Sequence, residues 1–510
     1  MNNVIDYLEA SAGRFPDKVA VKDINKSYTF SELQSRAFCM GTYLAGYVGI
    51  GKPVAVFSEK SVDVLAAFMG TVCAGGFYVL VEPSFPVSRI NSIFDVLKPE
   101  VIICPDGNLE KLRQCSYECT VISMEELVGQ NVADMELLSS IKEKHIDTDP
   151  LYGIFTSGST GVPKCVVVCH RSVIDFIDVF TETFGITDRD VIGNQAPFDF
   201  DVSVKDIYSG LKTGATIVLI PKSYFMFPNN VTDLLDDNGV TTLIWAVSAL
   251  CLLVRLHGLK YKRPSAINKI MFSGETMPVK QLNQWKQYYP DAMYVNLYGP
   301  TEITCNCMYH VLDREYKDTD KLPIGRAFRN ERVVLLSEDN ELICEPGTVG
   351  EICVMGTALA CGYYNNPEAT ARSFVTSPLN RSYAEQMYRT GDLGYYGDEG
   401  LMYFAGRRDF QIKHMGHRIE LEEIDSMLNA ADGIDRACTF FDQDRNKMVT
   451  YYTGEADSGQ IKAELRVKVP EYMIPNIFVR VAQMPLNKNG KIDRTYLRNV
   501  YQNGGSDGDK

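Results

Sequence analysis

Residues 155–168 read FTSGSTGVPKCVVV: hydroxyl-bearing residues and glycine fill positions 156–161, then come a proline, the lone cation Lys164 and an apolar run. A turn of Gly, Ser and Thr after a strand presents backbone N–H groups and hydroxyls together, and these can surround a polyphosphate. The spacing is not that of a Walker A loop, because Lys164 follows Pro163 and Cys165 stands where Ser or Thr would hold magnesium. Taken by itself the stretch also reads as a plain surface turn. Further along, other chemistry-bearing residues fall in short dense runs: FDFDVS (198–203), NLYGPTE (296–302), YRTGDL (388–393), GRRDFQIKHMGHRIELEEI (406–424) and PLNKNGKIDR (485–494).

The elements that must hold these runs follow from hydrophobic patterning. Between about residues 50 and 300, short β-rich stretches (53–57, 78–81, 101–104, 152–155, 216–220, 241–247, 269–272 and 294–297) alternate with longer helical patterns. That alternation predicts an α/β fold of mostly parallel sheets covered by helices. Over 332–404 the strands become closely spaced and are split by turns, which predicts a small antiparallel or barrel-like subdomain. After GRRD (406–409) the pattern mixes a strand, a helix with apolar residues at 421, 424, 427 and 428, two strands and a helix near 460–468. The expected organisation is a large body over 1–408, a small mobile α+β domain over 409–497, and a disordered tail over 498–510.

Composition narrows the function. The chain has 510 residues, a net charge of −14, 45% hydrophobic and 23% charged residues, an ordinary globular balance that argues against general nucleic-acid binding. The N-terminus lacks a signal-peptide pattern and no apolar run is long enough to span a bilayer. The 14 cysteines are scattered without a CxxC pair, and six histidines form no zinc spacing. A cytoplasmic protein with reduced thiols is the expectation.

Read in order, TSGSTGVPK (156–164), FDFDVS, NLYGPTE, GEICVMGTALACGYYNNPEAT (350–370), YRTGDL, GRRDFQIKHMGHRIELEEI and PLNKNGKIDR resemble the adenylate-forming superfamily, specifically the amino-acid adenylation domains of nonribosomal peptide synthetases. Among stand-alone members, 194–211 and HMGHRIELEEID are similar to D-alanine–D-alanyl carrier protein ligases. The resemblance spans roughly residues 5–495. It implies that a carboxylate is joined to the α-phosphate of ATP with release of pyrophosphate, and that the acyl-adenylate then passes to a thiol.

The resemblance also implies roles. Thr156, Ser157, Gly158, Ser159, Thr160 and Lys164 would close over the β- and γ-phosphates. Glu302 would bind Mg²⁺, Thr301 would contact phosphate, and Tyr298 with Gly299 would lie against the adenine. Asp392 would accept the ribose hydroxyls, with Arg407 adding a ribose or phosphate contact. Lys491 would reach the carboxylate and α-phosphate in the first half-reaction, Asp409 would be the hinge, and Gly416 would line the thiol channel after rotation.

Asp201 would pair with a substrate ammonium, since a carboxylate in a partly dry pocket is costly unless a cation matches it. With Val202, Lys205, Ile244, Met271, Ser273, Leu297, Cys305 and Asn306 it makes up the implied substrate pocket, which suits a small or polar amino acid. Lys205 could pair with an acidic or polar side chain or snorkel to solvent. Asp199, if the stretch is extended, faces elsewhere. Ser273 and Lys205 depart from the D-alanine ligases, which carry Cys and an apolar residue there.

The expected thiol partner is a separate phosphopantetheine-bearing carrier protein, met by a monomer through two basic clusters. These are Arg407, Arg408, Lys413, His414, His417 and Arg418, and Lys260, Lys262 and Arg263. An acyl- or aryl-CoA ligase on the same fold is the alternative. Cys165 replaces the family's usual Gly after the lysine, and is expected to stiffen the phosphate loop.

Overall fold

The computed structural model describes residues 1–158, 162–408, 411–443, 445–486 and 492–502. Strands β1 (Pro53–Phe57), β2 (Phe77–Val81) and β3 (Val101–Cys104) are buried at every position, as strands covered by helices on both faces must be. They run parallel and are joined by β4 (Thr120–Ser123), β5 (Pro150–Thr156) and β6 (Lys164–Cys169) in a seven-stranded sheet. β5 and β6 are antiparallel, so the glycine- and hydroxyl-rich stretch is the connection between two adjacent strands.

A second, nine-stranded sheet has as its centre β7 (Val191–Asn194), β8 (Thr216–Leu219), β9 (Thr242–Ala246), β10 (Lys269–Ser273) and β11 (Met293–Tyr298), parallel to one another, with Met308–Val311 antiparallel beyond β11. Every apolar run expected between residues 50 and 300 is thus a strand, to within two residues at each end.

Between the sheets lies α1 (Val202–Thr213), with Val202 through Leu211 all buried. A helix enclosed on every side usually reads as apolar throughout. This one carries Ser203, Lys205, Asp206 and Ser209, so polar groups inside the core must find partners there. Its apolar residues Val204, Ile207 and Leu211 share one core with Val54 and Val56 of the first sheet and with Ile192, Ile244 and Val295 of the second. The Tyr208 hydroxyl meets that of Tyr78 at 2.7 Å, tying α1 to β2.

The β-rich region is a six-stranded antiparallel sheet built around β12 (Glu331–Leu336), β13 (Gly350–Gly356), β14 (Gln386–Tyr396) and β15 (Met402–Arg407). Its intervening segment Gly362–Tyr363 leaves that sheet and pairs with β6. The remainder begins with a hairpin, β16 (Gln411–His414) and β17 (His417–Glu420), whose turn residues Met415 and Gly416 both have positive φ, 53° and 83°. Two left-handed residues in a two-residue turn match the twist of the flanking strands. Then follow α2 (Leu421–Asn429), β18 (Ile434–Asp442) and β19 (Lys447–Gly454), with apolar clusters of their own.

Two expectations change. Helix Arg494–Gln502 runs into the stretch expected to be disordered, because Leu497 is buried and Tyr501 packs edge-on to Phe440; residues 503–510 lie outside the described residues. Cys165 is not a loop residue. It pairs with Phe155 in the β5–β6 ladder, is fully buried, and its Sγ fills the space beside Gly153, where an added Cβ would stand 2.7 Å away. Among the described residues no helix is long and apolar enough to cross a membrane, and all fourteen cysteines are free.

Cys165→Gly therefore removes buried volume and loosens a strand, at a cost of about 2 kcal/mol. The expected result is a lower thermal unfolding midpoint, read by calorimetry; an unchanged midpoint combined with faster turnover would restore the loop-stiffening reading.

Candidate active site

The C-terminal ends of the parallel strands of the second sheet, the β5–β6 connection and the β16–β17 hairpin converge on one cleft. At its centre the chain leaves β11 at Tyr298 and doubles back. Gly299 allows this: a Cβ there would sit 2.5 Å from Asn306 Cα and 2.6 Å from the Cys305 carbonyl oxygen. Thr304 and Cys305 complete the reversal at φ 53° and 90°, conformations that cost a non-glycine residue of the order of 1–3 kcal/mol. The reversal holds Tyr298, Thr301 and Glu302 on one side and Cys305 and Asn306 on the other.

At the start of α1, Asp201 precedes the helix without capping it by a side-chain bond. Its Oδ2 instead accepts from the Thr301 hydroxyl at 2.7 Å, so that proton is committed to the carboxylate rather than left for a phosphate. Burial raises the Asp201 carboxyl pKa, against the pull of the Thr301 bond, Lys205 and Lys413. Lys205 is fully buried and does not reach solvent. Its Nζ donates to Asn306 Oδ1 at 2.6 Å and to Ser273 Oγ at 3.4 Å, and it also meets the Cys305 thiol.

Asp201, Lys205, Ser273, Cys305 and Asn306 are thus one cluster. Ile244 and Met271 are ladder partners and Leu297 follows two residues after Val295, the partner of Met271. These apolar residues belong to the core that also holds Cys305, and Val202 is buried at the start of α1. Asp199 lies in a turn rather than an extended run. Burial pushes its carboxyl up to about 6, with Lys222 and Lys60 opposing.

On the other side, Asp392 accepts from the Tyr298 hydroxyl at 2.6 Å and from Arg407, which is therefore no free surface charge. Each Asp392 oxygen retains capacity for a further donor. Lys164 lies 5.4 Å from the Tyr363 ring centroid. Thr156 and Lys164 face each other across β5 and β6. Gly158 packs so closely that a Cβ would collide with the Val162 carbonyl oxygen at 2.0 Å.

Ser157 Oγ donates to the Arg418 carbonyl at 2.8 Å and accepts from Glu420 N–H at 3.2 Å. Gly416 N–H donates to Glu275 at 2.8 Å. Ser159, Thr160, Asp409 and Lys491 lie outside the described residues.

Glu302 is 1% exposed and pairs with Arg418, whose Nη1 lies 2.9 and 2.7 Å from its two oxygens. The Tyr363 hydroxyl adds a bond at 2.7 Å. Burial would raise this carboxyl, but Arg418 and Tyr363 outweigh it and the pKa is lowered. A lone buried carboxylate that already needs a cation suits Mg²⁺, which is commonly held by one or two carboxylates plus substrate phosphates. Among the described residues no group of three or more His, Cys, Asp or Glu forms an all-protein cage.

Of the two basic clusters expected to face a carrier, the first is largely inward, whereas Lys260 and Arg263 of the second are exposed. Arg407 and Arg418 are paired with Asp392 and Glu302. Lys413 is close enough to Asp392 and Asp201 for both to oppose the lowering of its pKa by burial. His414 is bonded to Asn446 at 3.1 Å. His417 stacks on Tyr472 at 3.7 Å, and burial with Lys222 nearby pushes its pKa down to about 3. Arg408 is the exposed member. In the other cluster Lys262 is tied to Asp233, Asp236 and Asp237, and Arg263 covers the Tyr289 ring.

Three contributors to the cleft were missed from the sequence. Tyr363 and Lys413 touch or face the site, and Lys60 is ringed by the carbonyls of Asn194, Gln195 and Ala196 that lead to Asp199 and Asp201. A signal existed for Lys413. In a hairpin turning at Met415–Gly416, Lys413 stands opposite Arg418 and Ile412 opposite Ile419, so the two cations share one face.

A family model described as AMP-binding enzyme matches residues 8–364. Zwittermicin A synthase ZmaJ of Bacillus cereus is 31% identical over 96% of this chain and 93% of its own length. Other curated relatives at 30–31% identity are matched over only 8% to 45% of their lengths. By fold the chain is similar to holo-PA1221, an NRPS protein containing adenylation and PCP domains. That match has 24% identity, 97% of this chain, 84% of that one and a TM-score of 0.83. It is also similar to a double mutant of o-succinylbenzoate CoA synthetase from Bacillus subtilis, with 20% identity, 98% of each chain and a TM-score of 0.82. The chain belongs to the AMP-binding enzyme family. Within it, the sequence relatives place it with the adenylate-forming enzymes of the nonribosomal-peptide type.

Asp206, next to Lys205, accepts from Asn194 at 2.7 Å, and burial pushes its carboxyl from 3.8 up to about 7 against Asn194, Lys205 and Lys60. A carboxyl raised on folding binds more protons folded than unfolded, so stability falls as pH climbs from about 4 to about 7. Asp206→Asn removes that loss. The unfolding midpoint of the variant relative to wild type should rise across this window, and a pH-independent difference would contradict the assignment.

Proposed function

We propose that this chain activates an amino acid as its aminoacyl-adenylate and hands the acyl group to the phosphopantetheine thiol of a carrier protein. In the first step a substrate carboxylate oxygen attacks the α-phosphorus of ATP and pyrophosphate leaves. In the second a thiol attacks the acyl carbon, AMP leaves, and the thiol proton is lost to solvent or a base.

The observation that carries the amino-acid reading is Asp201, a buried carboxylate whose pKa burial raises and which an incoming ammonium would neutralise. ATP would be received by Tyr298, Asp392 and Arg407 on the adenosine side and by the β5–β6 connection with Lys164 on the phosphate side. Glu302 would hold Mg²⁺, which supplies charge neutralisation at the phosphates. Lys491 is proposed to reach the reacting carboxylate, with Asp409 as the hinge of a mobile domain over 409–497 and Gly416 lining the thiol path.

Lys205 refines the substrate. A fully buried ammonium hydrogen-bonded to neutral groups, Asn306, Ser273 and the Cys305 thiol, favours a small amino acid whose side chain accepts a hydrogen bond, a carboxylate above all. The thiol acceptor is supported by relatives that are peptide synthases and by the adenylation–PCP architecture of holo-PA1221. Coenzyme A is the competing acceptor, since a CoA synthetase shares the fold equally well.

ATP–pyrophosphate exchange over D-Ala, L-Ala, Ser, β-Ala, Asp and Glu tests the reading, with coenzyme A and a pantetheinylated carrier compared as acceptors. Exchange with carboxylic acids that lack an amine would overturn it. Lys205→Met should lower kcat/KM for an acidic amino acid by about 10- to 100-fold, the loss of a charge-assisted bond. It should leave alanine unaffected or improved; equal losses on both would remove Lys205 from specificity.

A further inference from the structure

Cys169 and Cys361, which no part of the proposed chemistry uses, meet at the edge of the first sheet. Cys169 ends β6 and stands at the N-cap of helix His170–Phe184. Cys361 precedes the short edge strand Gly362–Tyr363, in which Gly362 pairs with Val167, and its own N–H donates to the Val167 carbonyl at 2.8 Å. The two side chains are hydrogen-bonded to each other. Cys361 is exposed and Cys169 is buried.

The pair is chemically polarised. The Cys361 thiol, with the N–H groups of Ser172 and Arg171 at the start of the helix, brings the Cys169 pKa down to about 6 against the effect of burial. The Cys361 thiol is raised by the same contact. Burial raises other thiols of the chain, such as Cys165 and Cys305. A thiolate at a helix N-terminus is the reactive form of cysteine. Beside an exposed thiol it completes the set for thiol–disulfide exchange, one sulfur open to an oxidant and one to resolve the product.

The segment carrying Cys361 also braces the reversal after Tyr298. Ala360 N–H donates to the Glu302 carbonyl at 2.8 Å, and the Thr304 hydroxyl donates to the Ala358 carbonyl at 2.7 Å. The Tyr363 hydroxyl donates to the Glu302 carboxylate at 2.7 Å. Ser172, 3.2 Å from Cys169 Sγ, donates to the Leu359 carbonyl at 3.0 Å.

We propose that Cys169 and Cys361 form a reversible disulfide, made by exchange with a small-molecule disulfide, that turns the cleft off under oxidising conditions. The Cys361 thiol passes its proton to the Cys169 sulfur and attacks one sulfur of the small disulfide. The other sulfur leaves as a thiolate and takes the proton from Cys169. The Cys169 thiolate then attacks the Cys361 sulfur of the mixed disulfide, and the second small thiolate leaves and is protonated by solvent. Two protein thiols are oxidised and one small disulfide is reduced to two thiols. Joining the sulfurs turns a hydrogen-bonded contact into a covalent one. Cys361 is thereby drawn toward β6, and the pull reaches Glu302 through Ala360 and Tyr363. Only the activity readout of this inference rests on the functional reading above.

The full chain is incubated with oxidised glutathione, its remaining thiols are alkylated, and its peptides are mapped by mass spectrometry. The expected product is a Cys169–Cys361 cross-linked peptide that dithiothreitol reverses. ATP–pyrophosphate exchange should fall by about 10- to 100-fold on oxidation and recover on reduction. Cys361→Ser should match reduced wild type and keep its activity through the same treatment. Cys344→Ser, which alters the other exposed cysteine, should be inactivated like wild type. Glutathione retained on Cys361 without the cross-link, or a cross-link that leaves an active enzyme unchanged, overturns the inference. Absence of exchange with any amino acid in the reduced enzyme overturns the functional reading, and the peptide map still decides whether the disulfide forms.

Discussion

Charges in this cleft lie out of water, and each must bring its own counter-charge. Asp392 has Arg407, Glu302 has Arg418, and Asp201 has Lys205 and Lys413 nearby. Stripping a carboxylate of solvent costs several kcal/mol unless a cation and hydrogen bonds replace the water. That requirement explains the layout of the surrounding elements. α1 is enclosed by both sheets yet polar along one side; β11 stops and reverses at Gly299; a hairpin from the far end of the chain reaches into the same space. Each delivers one half of a buried pair.

The same constraint makes the cleft responsive to what enters it. In the proposed reading, an ammonium at Asp201 or a metal at Glu302 would take up a carboxylate that the chain's own groups hold in this arrangement. In this arrangement the cations beside Asp201 and Glu302 are the chain's own, and the hairpin provides two of them, Lys413 and Arg418.

The strands were legible from sequence because parallel strands buried on both faces leave unbroken apolar runs, as in PVAVF and FYVLV. The first hairpin strand and α2 were legible, the helix from the spacing of Leu421, Ile424 and Leu428, whereas β17 and so the hairpin itself were not expected. Charge placement was not. Lys205 in isolation reads equally well as a snorkelling or a buried residue, and only the enclosure of α1 decides between them. The run from Arg407 to Arg418 looked like a basic surface because its cations are close in sequence. Strand pairing instead turns Lys413 and Arg418 to one face and Ile412 and Ile419 to the other. Thr301 was expected beside a phosphate, yet its hydroxyl holds Asp201. Proximity across the reversal after Tyr298 has no signature in local pattern.

That reversal ties the Asp201–Lys205 cluster to Tyr298 and Glu302. Asn306 stands against Gly299 with no room for even a methyl group between them, and the residues joining them are Thr301, Glu302 and the left-handed Thr304 and Cys305. Evolution or a protein engineer seeking a new side-chain preference thus meets two unequal routes. Changes at positions 202 and 205 work from a helix whose backbone is anchored independently by the core. Changes at 305 and 306 pull on a loop that also aims Glu302 and Tyr298, so under the proposed roles of those two residues altered selectivity gained there would arrive with altered handling of ATP.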